Sequence, residues 1–215
     1  FVADNRGGAI HAFDLPAATK REAKPFNLKD IAAPVARALN ISADKLRFED
    51  LAVRPGSELA FVSLSIDRGA AAPEPAIVTI DATGAVARVD LSNPTRTAAI
   101  ADRPTEAGRV WRDTPLQTLT VTDLHFDEGR LYVAGLSNRS FASTLRVFDY
   151  PFDGKASATS IEMYHPVHNQ NETRAPVRTL TTTMINGEKT LVLAYTCTPL
   201  VTVPVSALKD GAHVK

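Results

Sequence analysis

The 215-residue chain predicts an all-β fold built as a repeat: a β-propeller, or an arc of one, made of four-stranded antiparallel blades with one short inserted helix. Three observations carry that expectation. A hairpin pattern occurs twice, as Asp50-Leu51-Ala52-Val53 to Leu59–Ser65 across Pro55-Gly56-Ser57, and as Asp123–Asp127 to Arg130–Ser137 across Glu128-Gly129. An apolar-x-x-apolar-Asp strand recurs as Ile10–Asp14, Ile77–Asp81 and Leu145–Asp149, with Leu200–Pro204 as a looser copy. No long helical periodicity interrupts these segments. The alternative is a β-sandwich or other meander whose strands resemble one another by composition.

Taken in order, residues 1–46 hold a partial blade, strands B and C, followed by a helical insertion. Ile31, Val35 and Leu39 are spaced by four, Asn40 ends that helix, and Pro34 makes it short or kinked. Residues 47–118 form a blade with strands A to D in 47–91, followed by a loop. Residues 119–177 form a second blade, 119–163, with a polar loop. Residues 178–215 supply A, B, C and the start of D. Asp50 and Asp123 lie 73 residues apart, while Asp14, Asp81 and Asp149 are spaced by 67 and 68, so the A–B hairpins and the C strands recur together.

Composition narrows the function. Lysine plus arginine, 24, equals aspartate plus glutamate, 24, and no block of like charge stands out. Broad nucleic-acid binding through phosphates is therefore not expected. No apolar run is long enough to span a bilayer. A single cysteine, Cys197, forbids an internal disulfide and fits either redox compartment. The chain opens on Phe1 as though inside a strand, which reads as a processed or excised piece. Nucleophile-elbow, phosphate-loop and Cys-x-x-Cys patterns are missing. Asn40-Ile41-Ser42, Asn138-Arg139-Ser140 and Asn171-Glu172-Thr173 match the glycosylation acceptor pattern, relevant in a eukaryotic secretory pathway.

Strand order then selects a working face. The A–B and C–D turns are short. The long irregular segments, roughly 16–46, 66–75, 92–117, 138–143 and 164–177, are all B–C or D–A connections and share the other face, where grafted loops carry function. Asn5-Arg6, Asp67-Arg68 and Asn138-Arg139 each follow a B strand, so Arg6, Arg68 and Arg139 are expected to approach one another. With Arg174 and Arg178 from the polar loop they suit capture of a carboxylate or phosphate. The same loop offers His165, His168 and Glu172 as metal ligands, although His-x-x-His on an irregular loop fixes no geometry. The plainer reading is a hydrogen-bonded connection, with Arg174 or Arg178 pairing Glu172. Cys197 reads as a buried thiol at a strand end, with a catalytic or copper-binding role as the alternative. His125 reads as a hydrogen-bonded core histidine. Trp111, among Arg109, Arg112 and Asp113, anchors its loop or forms a contact surface.

Val133–Asn138, Glu172–Thr179 and Ala194–Val201 resemble segments of secreted bacterial β-propeller-like proteins with no assigned activity. The resemblance covers much of residues 45–205. It implies a secreted or periplasmic propeller with further blades beyond this chain, and it assigns no catalytic residue or cofactor. The leading expectation is a binding module for an anionic small molecule or a protein partner. The alternative is a metal-dependent hydrolase, a lactonase-like enzyme or an oxidoreductase using His165, His168 and Glu172.

Overall fold

A computed structural model describes residues 1–15, 26–54, 56–57, 59–70, 72–105, 110–166, 168–172, 174–196 and 200–215. The chain is all-β, with several antiparallel sheets and one short helix. It divides into two compact units, Asp14–Asn93 and a second made of Phe1–Phe13 with Pro94–Lys215. Among the described residues no helix is long and apolar enough to cross a membrane.

The chain starts with a hairpin, β1 (Val2–Asp4) and β2 (Ala9–Ala12), closed by a turn at Asn5–Gly8. It then builds the Asp14–Asn93 unit. Helix α1 (Ala32–Leu39) starts where Asp30 Oδ1 accepts the Ala32 and Ala33 amides at 2.9 and 3.4 Å. Pro34 lies in the first turn, where its missing N–H costs nothing, so it does not break the helix. Asn40 ends it in the left-handed region, φ 51°. Four antiparallel strands follow in sequential order: β3 (Leu46–Val53), β4 (Leu59–Ile66), β5 (Glu74–Asp81) and β6 (Val86–Arg88). Strict alternation puts Val62, Leu64, Ile66, Ala76, Val78 and Ile80 on one face, where Val35 and Leu39 of α1 join them. Asp81 ends β5 because its Oδ1 takes the amides of Thr83 and Ala85, while Gly84 supplies the positive φ of the turn, 83°.

The second unit resumes with β7 (Arg96–Ala99), which follows the Asp14–Asn93 unit in sequence, pairs with β2 and completes the sheet β1-β2-β7. A two-residue hairpin follows, β8 (Val110–Trp111) and β9 (Thr114–Pro115), then a 3-10 turn at Leu116–Leu119. Residues 92–117, read as loop, thus contain three strands. The expected second repeat forms β10 (Asp123–Asp127), β11 (Arg130–Leu136), β12 (Ser143–Asp149) and β13 (Ser157–Ile161). Within the expected polar loop lies a hairpin, β14 (Met163–His165) and β15 (Gln170–Glu172), turning where Asn169 holds φ 48°. A three-stranded sheet closes the series: β16 (Val177–Ile185), β17 (Glu188–Tyr195) and β18 (Val201–Pro204). The start of a D strand expected for this last repeat is not its neighbour. Strand β19 (His213–Val214) instead pairs in parallel with β13, as the fifth strand of the previous sheet.

Three sheets of this unit stack face to face. Leu131 and Val133 of β11 point to Ile10, Ala98 and Ile100 of the first sheet. Tyr132 and Ala134 point the other way, to Leu180, Leu191 and Leu193 of the third. Side chains of β10 also satisfy the edge of β16. Asp123 Oδ2 accepts the Leu180 amide at 2.7 Å, His125 Nε2 lies 2.9 Å from Thr182 Oγ1, and Asp127 accepts from Thr182 at 3.0 Å and from Lys189 at 2.7 Å. The Lys189 hydrogen bond draws the Asp127 carboxyl below its usual value. His125 is thus half-buried and hydrogen-bonded.

Candidate functional site

The turn at Asn5–Gly8 and the β11–β12 connection meet the segment that follows β7. Asn5 clamps the strand leading into β10: its Nδ2 donates to Val121 O at 3.1 Å and its Oδ1 accepts the Val121 amide at 2.7 Å. Asp4 closes its own turn by accepting the Gly7 amide at 2.8 Å. Arg103 Nη1 donates to the carbonyls of Arg6, at 3.2 Å, and Gly7. The Asn138 amide donates to Asp102 O at 2.8 Å. Two of the three repeated Asn/Asp-Arg pairs, those of Arg6 and Arg139, are therefore gathered on one dipeptide, Asp102-Arg103.

Below this junction lies Arg146, in the middle of β12 and only 1% exposed. Its Nε donates to Asp102 Oδ1 at 2.7 Å, Nη1 to Thr120 O at 3.0 Å and Nη2 to Leu136 O at 2.9 Å. Burial pulls this guanidinium below its usual value, and Asp102 opposes that pull. Arg139 Nε stands 3.7 Å from Asp102 Oδ2, and its Nη1 donates to Ala158 O at 3.0 Å. Asp102 thus lies between the guanidiniums of Arg146 and Arg139. Asp102 is spent on Arg146 and Arg139, so Arg6 and Arg103 keep a positive excess.

Around Arg6 and Arg103 this excess borders a cavity of about 110 Å³, lined also by Asn5, Pro104, Thr105 and Gln117. Arg6 is exposed and its side chain makes no ion pair among the described residues. A larger open cleft of about 470 Å³ lies in the Asp14–Asn93 unit, against Pro75–Ile77 and Arg88–Ser92. Its charged groups are committed locally: Arg88 pairs with Glu74 at 2.8 Å, and Asp90 takes the Ser92 amide at 2.9 Å.

The other sequence candidates fall elsewhere. Arg68 belongs to the Asp14–Asn93 unit and is bound to Glu74 at 2.5 Å; Arg88 and Arg68 together hold the Glu74 carboxyl below its usual value. Arg178 donates to Thr196 Oγ1 at 2.9 Å, and its guanidinium lies 5.6 Å from the Trp111 ring, with that of Arg112 at 5.0 Å. Trp111 anchors its loop against the cores on both sides of it. Arg174 is exposed. His165, buried on β14, stacks on the exposed His168 at 4.5 Å between ring centroids. Glu172 Oε1 accepts the Arg174 and Ala175 amides at 2.6 and 3.1 Å, so this carboxylate serves the backbone. Among the described residues no group of three or more His, Cys, Asp or Glu side chains is placed to hold a metal. Cys197 and Arg109 lie outside the described residues. Tyr195 is buried with its hydroxyl 3.1 Å from Ser143 Oγ, and burial pushes it up to about 12.

Sequence reasoning missed Arg146 and Arg103. The signal for Arg146 was present: a lone charge inside a strand whose partner, Arg130–Leu136, is almost continuously apolar. Comparison with known proteins adds no family: no family model, no curated protein and no solved structure matches this chain.

Proposed function

We propose that this protein is a binding module of β-propeller type whose B–C face captures an anionic small molecule. The sequential antiparallel sheets, stacked three deep in one unit, support the blade reading. The resemblance in residues 45–205 supports a secreted or periplasmic setting. One observation carries the binding reading: Asp102 is shared between Arg146 and Arg139, which leaves Arg6 and Arg103 with an uncompensated positive field at the mouth of a small cavity. Guanidinium groups bind carboxylate and phosphate by paired N–H donors, and a pre-positioned set loses little entropy on binding.

Thermal unfolding of the full chain tests this. In phosphate, citrate or sulfate at ionic strength matched with sodium chloride, the midpoint rises with anion concentration. At a hundred times Kd the gain is about 2.7 kcal/mol, or roughly 5–10 °C for a chain of this size. Equal midpoints in all four salts would contradict the reading.

A further inference from the structure

We propose that the cavity between Arg6 and Arg103 is a receptor for a single oxyanion head group, carboxylate or phosphate, held between one fixed and one movable guanidinium. The proposal rests on the anion-binding reading above and names the place and the ligand class. A volume of about 110 Å³ holds roughly three or four waters, enough for one head group and too little for a whole cofactor. The body of the ligand therefore extends outward from the cavity. Among the described residues no carboxylate lines it, and Pro104 supplies an apolar wall. Both polar ends of the Asn5 amide are spent on Val121, and Gln117 Nε2 donates to Thr105 O at 3.1 Å. Among the described residues lining the cavity, the charged side chains are Arg6 and Arg103.

The two arginines have different roles. Arg103 is fixed, because Nη1 is spent on the Arg6 and Gly7 carbonyls, and its remaining N–H groups form the rigid side of the receptor. Gly8 makes this seat available. It holds φ +67°, and a Cβ there would lie 2.2 Å from both Cδ and Nη1 of Arg103. Arg6 is exposed, so it can swing onto the bound anion. Asp102, the nearest acidic neighbour in sequence, cannot cancel Arg103 because its Oδ1 faces Arg146 at 2.7 Å. Asp4, the other acid of the turn, accepts the Gly7 amide and does not line the cavity.

Isothermal titration of the full chain at fixed ionic strength, with inorganic phosphate in one arm and acetate in the other, tests the receptor. Binding in the phosphate arm points to a phosphoryl ligand and binding in the acetate arm to a carboxylate, and either supports the proposal. Affinity is expected to fall at least tenfold in Arg6→Gln and in Arg103→Lys. Arg96→Gln, at the opposite end of the strand that leads into the cavity, is expected to bind as the natural chain does. Arg6→Gln changes an exposed side chain, so misfolding does not confound it. Unchanged affinity in Arg6→Gln, with loss in Arg178→Gln, would overturn the receptor and leave the anion-binding reading standing. No binding of either anion to the natural chain would overturn both.

Discussion

The strand series β3–β6 and β10–β13 share one plan and differ in how many faces they bury. In β3–β6 the second strand alternates, with Ala60, Val62, Leu64 and Ile66 buried and the residues between them half-exposed. In β10–β13 the second strand is buried from Leu131 to Leu136 without a break. The sequences say the same: Leu59–Ile66 mixes serines with apolar residues, whereas Arg130–Leu136 is apolar after its first residue. One-sided burial lets the first sheet close its core with a single helix. Two-sided burial makes the second sheet the middle layer of three, and its interior can hold a charge only where that charge is fully paired. The aligned strands show this directly. Counting back from the terminal Asp81 and Asp149, Val78 and Arg146 occupy the same position, and both are buried.

Exchanging that pair breaks the comparison most sharply. Val78→Arg places a guanidinium in an apolar face with no acceptor and should unfold the Asp14–Asn93 sheet, read as loss of its amide-exchange protection. Arg146→Val takes the donor from the half-buried Asp102 and from the Thr120 and Leu136 carbonyls, at a cost of about 3–5 kcal/mol in urea unfolding. A smaller effect comes from Tyr195, which faces Ser143 across the stacked layers. Its ionisation is raised from 10.0 to about 12, so the folded state holds the phenolic proton more tightly than the unfolded one. The associated stability is complete below pH 10 and is lost as pH rises through 12, about 3 kcal/mol in all. Tyr195→Phe should remove that part of the alkaline loss in urea midpoints measured from pH 9 to 12.

The smallest contrast concerns glycines of one hairpin. Gly135 lies where a Cβ would be 2.0 Å from the Thr120 carbonyl oxygen, so Gly135→Ala forces backbone apart and costs roughly 1–3 kcal/mol or more. Gly129, at φ +79° with open space around it, should cost only about 1 kcal/mol as alanine, from backbone strain alone. Thermal midpoints of the two variants separate close packing from turn geometry.

What could be read from the chain was what local pattern controls. Alternation, Gly turns and the Asp-terminated strands placed β3–β6, β10–β13 and β16–β18, and four-residue spacing placed α1. Pairings that depend on distant chain were hidden. Arg96–Ala99 has no strand signature of its own and is a strand because β2 offers it an edge. His213–Val214 is two residues long and is likewise defined by its neighbour, β13. The hairpin at Met163–Glu172 was masked by polar composition. For the site, the Asn/Asp-Arg repeat pointed to Arg6 and Arg139 but treated all the arginines alike. Whether a guanidinium is spent or available depends on which carboxylate or carbonyl the fold brings to it, and Glu74, Ala158 O and Thr196 were invisible as partners of Arg68, Arg139 and Arg178.

The account turns on Arg6 and Arg103 being the arginines left available, and phosphorus NMR of inorganic phosphate reads that directly. Titrated with the natural chain at constant ionic strength, the phosphate line should broaden and shift with saturation. The double variant Arg6→Gln, Arg103→Lys should abolish the change, while Arg68→Gln should leave it intact. The same broadening with the double variant, or its loss with Arg68→Gln, would contradict the account.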